Sequence, residues 1–168
     1  MHSPKELRKG VISRIFVILL FRKDALQVFA MEFEYNTYRN RNGVFYHPSI
    51  NVTFQYKAER LPYESALVDT GSDFVILPME IAERIGAEPD LEQVTELNCA
   101  CGGSFKSYTS RHPIKIIVDH EGFRPKHWET FVQFVDAKVT VLLGQRGFLD
   151  RLDATFYGKQ HIMKLSPN

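Results

Sequence analysis

The sequence predicts an all-β domain, closed or sandwich-like. Three observations carry this expectation. Apolar and polar residues alternate with a period of two in several separate segments, those segments are short and bounded by Gly, Pro and Asn, and only two stretches have helical character. Alternation is a strand signal because successive side chains of an extended chain point to opposite faces, so one face can be buried while the other meets water.

Taken in chain order, Phe33 and Tyr35 flank Glu34 in a first strand, and Ile50, Val52, Phe54 and Tyr56 form a clearer one. Strands are expected at 63–68 and 74–77, then a short helix from Pro78 to Ile85, with Pro at its start and Gly86 to stop it. Strands follow at 93–98, 104–109, Ile114-Ile116-Val118, 129–135 and 139–143. A second short helix is expected over Arg146–Arg151, and strands at 153–157 and 160–165 close the chain.

The 168 residues suit one domain and are too few for two ordinary lobes. Hydrophobic residues make up 44% and charged residues 24%, which permits a sizeable core and excludes a disordered chain. The net charge of +1 gives no reason to expect a nucleic-acid partner, which usually demands a strongly basic face. Cys99 and Cys101 are the only cysteines, and thiols separated by one residue fit disulfide geometry badly, so a disulfide framework is excluded.

Residues 1–30 read as an N-terminal extension and 31–168 as the folded domain. Lys5, Arg8, Lys9, Arg14, Arg22 and Lys23 make the first segment basic. Its uninterrupted apolar run, Ile15 to Phe21, is far short of the roughly 20 residues that span a bilayer. Arg14 and the Arg22-Lys23-Asp24 cluster also disturb the pattern of an export signal. A leader, a pro-segment and a start at Met31 are the readings left open. The expected compartment is the cytoplasm, with export through this segment as the alternative.

The chemically informative stretch is Leu67-Val68-Asp69-Thr70-Gly71-Ser72-Asp73, followed by the apolar Phe74 to Leu77. An acid at the end of one apolar strand, a small-residue turn and an immediately departing strand together hold a carboxylate on rigid backbone. The flanking apolar residues are expected to bury Asp69. Gly71 allows close approach of the backbone, and the Thr70 and Ser72 hydroxyls orient neighbours without adding charge. An ordinary hydrogen-bonded turn is the alternative, since all four residue types favour turns.

This segment resembles the catalytic signature of the retropepsin family, the single-domain aspartic peptidases of retroviruses and their bacterial and cellular relatives. A second match, Val141-Leu142-Leu143-Gly144-Gln145-Arg146-Gly147, resembles the family's late strand. A looser third is the Gly102-Gly103 turn, where the family has a mobile flap. Order and spacing agree over most of residues 44–165. The resemblance implies a closed acid-protease barrel with one or two short helices, active as a symmetric homodimer on peptide or protein substrates, with no cofactor or metal. It assigns catalysis to Asp69, the active-site loop to Thr70, Gly71 and Ser72, substrate contacts to Asp73, Gly102 and Gly103, and support to Leu143, Gly144 and Arg146. Relatives commonly carry Arg directly after the late Gly, paired with an acid four residues beyond the catalytic Asp. This chain has Gln145 there, followed by Arg146, with Asp73 at the acid's position.

Peptide hydrolysis by carboxyl groups needs one ionised to take a proton from water and one protonated to donate to the carbonyl oxygen. Only one Asp-Thr-Gly occurs, and Asp136, Asp150 and Asp153 lack the small-residue turn. A two-fold dimer supplies the second carboxylate most simply. A peptide-binding module of the same fold that cuts nothing is the alternative, because fold does not fix activity. His112, His120 and His127 show no pairing with Cys99 and Cys101 that suits a metal, and no third group emerges to support a cysteine nucleophile. Trp128, Phe131 and Phe134 are expected in the core, and Asn51-Val52-Thr53 reads as a chance glycosylation match inside a strand.

Overall fold

The structure is a computed structural model, which describes residues 30–98 and 102–167. It contains fourteen strands and one helix among the described residues. The first three strands are β1 (Met31–Glu34), β2 (Asn36–Asn40) and β3 (Gly43–His47). They are followed by β4 (Ser49–Tyr56), β5 (Glu59–Val68), β6 (Ile76–Pro78) and the helix α1 (Met79–Ile85). Next come β7 (Pro89–Asn98), β8 (Ser104–Ser110), β9 (Ile114–Val118), β10 (Lys126–Thr130) and β11 (Gln133–Val135). The last are β12 (Leu142–Leu143), β13 (Leu152–Tyr157) and β14 (Ile162–Pro167).

Nine strands form one sheet in the order β10-β9-β4-β5-β12-β6-β11-β8-β7. The sheet curls into a half-barrel, and β10 and β7 remain its two ends, so the expected closed barrel does not form among the described residues. A three-stranded sheet, β1-β14-β13, and the β2–β3 hairpin stand beside it. Phe54, Phe134, Phe148, Ile114, Ile116 and Leu143 are completely buried at the centre. Each such side chain contributes about 1.5–3 kcal/mol relative to exposure.

The alternating pattern of β4 is realised directly: Val52, Phe54 and Tyr56 are buried and the residues between them are not. Its partner β5 changes parity. Leu61 is buried near its start and Ala66 and Val68 at its end. The switch occurs at a bulge, where Ser65 has φ +61° and gives its N–H to Asn51 Oδ1 at 3.2 Å. One extra residue reverses which side chains face the core. Val68 therefore enters the core immediately before Asp69.

Helix α1 begins just after Pro78 and ends at Gly86, which takes the left-handed conformation (φ +67°) suited to a helix stop. The second expected helix, Arg146–Arg151, is instead a series of turns. Gly147 there has φ +95°, outside helical range, and Asp150 Oδ1 accepts its N–H at 3.0 Å. The strand expected at 129–135 divides into β10 and β11, because the chain must cross from beside β9 to a place between β6 and β8. Val132 marks the crossing, giving its N–H to Ser110 Oγ at 3.1 Å. Phe134 is buried and Trp128 half-buried as expected, whereas Phe131 is 55% exposed. Hairpin β2–β3 has no counterpart among the expected strands, since every one of its residues is exposed and no buried face imposes alternation on it.

Candidate active site

Asp69 follows β5, and a strand from far along the chain holds it in place. β12 lies between β5 and β6, parallel to the first and antiparallel to the second. Through this insertion Leu143 C=O accepts the Asp69 N–H at 3.1 Å, and Val141 C=O accepts that of Leu67 at 2.9 Å. Parallel pairing between Leu142–Leu143 and Leu67–Val68 thus sets the acid's position.

The loop is bonded internally as well. Gly71 N–H donates to Asp69 Oδ1 at 2.9 Å and Ser72 N–H to the Asp69 carbonyl at 3.3 Å. The first is an Asx-type turn in which the carboxylate is oriented by main chain. Ser72 is buried, and its hydroxyl donates to Phe74 C=O at 2.9 Å, a bond that ties the far end of the turn to the segment leading into β6 and is made to main chain instead of to the Asp69 carboxylate. Thr70 and Gly71 are exposed and Asp69 half-buried. The expectation of a buried Asp69 is therefore corrected: apolar residues bury the strands on either side, while the turn between them faces outward.

The late motif clamps this loop. Gln145 N–H donates to Ser72 C=O at 2.8 Å, Arg146 N–H to Asp73 C=O at 2.9 Å, and Gln145 Nε2 to Thr70 C=O at 2.9 Å. Gly144 permits the approach. A Cβ there would fall 2.3 Å from Phe74 O and 2.5 Å from Ser72 O, which no side chain can occupy. Arg146 meets Asp73 through main chain, while its guanidinium lies over the Phe74 ring at 5.6 Å, a cation–π arrangement. Beneath the turn, Trp128 Nε1 donates to Gly147 C=O at 2.6 Å.

Gly102 and Gly103 lie at the connection of β7 and β8, both exposed, with Gly102 at φ +86°. Cys99 and Cys101 fall outside the described residues. Beside the clamp is a cavity of about 750 Å³, walled by Phe74, Arg146, Gln93, Thr95, Phe131 and Gln133. Gln133 is buried, with Nε2 on Thr109 Oγ1 at 3.0 Å and Oε1 lacking a protein partner.

Among the sequence-assigned residues, Asp69 to Asp73 and Leu143 to Arg146 are brought into one assembly; Gly102 and Gly103 stand apart on the β7–β8 hairpin. The bond from Gln145 to Thr70 and the anchoring role of Trp128 were not anticipated. Gln145 was visible only as a departure from the family pattern, and no spacing signals a contact spanning 75 residues.

A curled β sheet thus presents an Asp-Thr-Gly-Ser turn held by a Leu-Leu-Gly strand. Solved structures similar to the chain include two proteases. One is a retropepsin-like aspartic protease from Rickettsia conorii, with 20% identity and a TM-score of 0.44 over 80% of this chain and 98% of that one. The other is the EIAV protease complexed with the inhibitor HBY-793, with 18% identity and a TM-score of 0.40 over 59% of this chain and 82% of that one. No family model and no curated protein matches the sequence.

Proposed function

We propose that the chain is an aspartic endopeptidase acting as a two-fold homodimer, with Asp69 of each copy forming the catalytic pair. One observation carries the reading: Asp69 stands on an outward-facing turn that is immobilised by main-chain bonds from Leu143, Gly71 and Gln145. Hydrogen bonds from two distant segments hold this one turn in place, an arrangement that a surface turn made for solubility does not need.

Two carboxylates brought to contact across an axis share a proton, because both cannot ionise side by side. The ionised member takes a proton from water as that water attacks the scissile carbonyl, and the protonated member donates to the carbonyl oxygen. No covalent enzyme intermediate is needed. Thr70, at the exposed summit of the turn, meets its counterpart across the axis, and Gly71 offers main chain to an extended substrate. The β7–β8 hairpin with Gly102 and Gly103 closes over the substrate, which binds by strand-type hydrogen bonds. Residues 31–168 constitute the catalytic domain in this scheme.

The test is cleavage of an unbiased peptide library between about pH 3 and 7, the range in which carboxylate pairs work. Wild type should cleave with a bell-shaped profile, and a folded Asp69→Asn protein should not. Equal cleavage by the two would sink the proposal. A dimer that cleaves nothing at any pH would favour the non-catalytic peptide-binding module.

A further inference from the structure

Two surfaces of this chain are exposed, partly apolar and opposite in charge. The first is the β2–β3 hairpin. Tyr38 is 64% exposed, and Val44, Phe45 and Tyr46 are each more than 40% exposed. The hairpin contains Arg39 and Arg41 and has no acid between Tyr35 and Pro48. Its base is fastened to the body by Asn36 Nδ2 bonds to Ser49 Oγ and Ser65 Oγ, both 2.9 Å, by a bond from Ser49 Oγ to the His47 carbonyl at 3.4 Å, and by a stack of Tyr46 on His161. Arg39 lies directly opposite Val44 across the ladder, so both project from one face, while Tyr38 and Phe45 project from the other.

The second surface is β7, the end strand of the nine-stranded sheet, whose outer edge has no partner strand among the described residues. Leu91 and Val94 are 66% and 47% exposed. Asp90, Glu92 and Glu96 lie along it without a basic residue, and the whole β7–β8 hairpin contains one opposing charge, Lys106. Val94 and Glu96, in the regularly paired part of the strand, are two residues apart and share one face, and Glu92 precedes them in an irregular stretch between Pro89 and Val94. A long exposed edge with apolar residues is a site that soluble proteins normally cover or block.

We infer that the β2–β3 hairpin of one copy docks on β7 of a second copy, Arg39 and Arg41 facing Glu92 and Glu96 while Val44, on the same face as Arg39, covers Val94. This rests on the homodimer proposed above and specifies which surfaces hold it together beyond the Asp69 turns. Every chain carries both halves, so a two-fold operation makes the contact twice and uses up both exposed surfaces. The hairpin's root favours the partner as occupant. Pro48, directly after β3, accepts the Val68 N–H at 2.9 Å, one residue before Asp69, so the hairpin springs from the region that the axis must pass.

Charge reversal tests this with full-length chains in sedimentation equilibrium at low salt. Arg39→Glu/Arg41→Glu and, separately, Glu92→Lys/Glu96→Lys should each weaken the dimer by about tenfold or more, as expected for like charges placed in contact. All four positions are solvent-exposed, and circular dichroism checks that each variant is folded. An equimolar mixture of the two variants should regain near-wild-type affinity, because both contacts of the mixed dimer then pair opposite charges. Wild-type affinity in either variant alone, or no recovery on mixing, overturns the inference and leaves the hairpin to another occupant. A wild-type chain that is monomeric while Asp69-dependent cleavage is measured overturns the homodimer as well. Dimers indifferent to the reversals overturn only the docking.

Discussion

The side chain of Gln145 spans to the main chain of Thr70, Nε2 to carbonyl oxygen at 2.9 Å. It ties the summit of the Asp69 turn to the strand that supports it from below. The resemblance to retropepsins would place an arginine at Gln145, and the amide supplies an N–H donor from the same position. Arg146, next in the chain, is then free to cover Phe74.

Replacing Gln145 should loosen the turn while leaving the fold intact. Gln145→Ala is expected to cost about 1 kcal/mol, the net worth of a neutral hydrogen bond, and to lower kcat more than it raises KM. Gln145→Glu should be worse, since a carboxylate has no donor for the Thr70 carbonyl. Gln145→Arg keeps a donor and should restore most of the activity. Urea unfolding and steady-state cleavage across the three variants check this ordering.

Gly144→Ala is the severest single change expected in the support. Its Cβ would overlap two main-chain oxygens, Phe74 O and Ser72 O, neither of which can rotate away. Destabilisation of about 3 kcal/mol or more follows from forcing β12 off its neighbours. Circular dichroism melts would register it, and a melting temperature equal to wild type would contradict the packing.

Trp128→Phe keeps the ring's contact with Phe148 and removes the donor to Gly147 C=O. Gly147 is buried, so its carbonyl is left without that partner at a cost of about 1–3 kcal/mol. Trp128 is the only tryptophan, and loss of its fluorescence directs the measurement to chemical denaturation followed by circular dichroism.

Tyr35, between β1 and β2, has its phenol pushed up from the usual 10.0 by desolvation on burial. The folded state therefore keeps the proton longer than the unfolded chain does. Stability from this group is fully present below pH 10 and is lost as pH rises through the folded value. Tyr35→Phe should flatten part of the decline in stability above pH 10, and identical alkaline slopes for the two proteins would refute the assignment.

Strand periodicity proved most legible where one face of a strand is buried and the other is not. β4 and β9 show this, each burying alternate residues. Helix α1 was legible for a local reason, Pro78 at its entrance and Gly86 at its exit. The β2–β3 hairpin was not, because it buries neither face. Nor was Arg146–Arg151, where a short helix was expected but Gly147 turns the backbone away.

The residues of the Asp69 turn and the Gly144 strand are determined by the sequence itself. A small-residue turn after an apolar strand, and a glycine where nothing larger fits, are local requirements that leave local traces. Only the tertiary structure decided that these two segments meet, that Asp69 is half-buried beside an exposed turn, and that Gln145 supplies the clamp. Those outcomes depend on inserting β12 between β5 and β6. The insertion brings together residues about 75 positions apart, and its specificity resides in main-chain hydrogen bonds that every amino acid but proline can make.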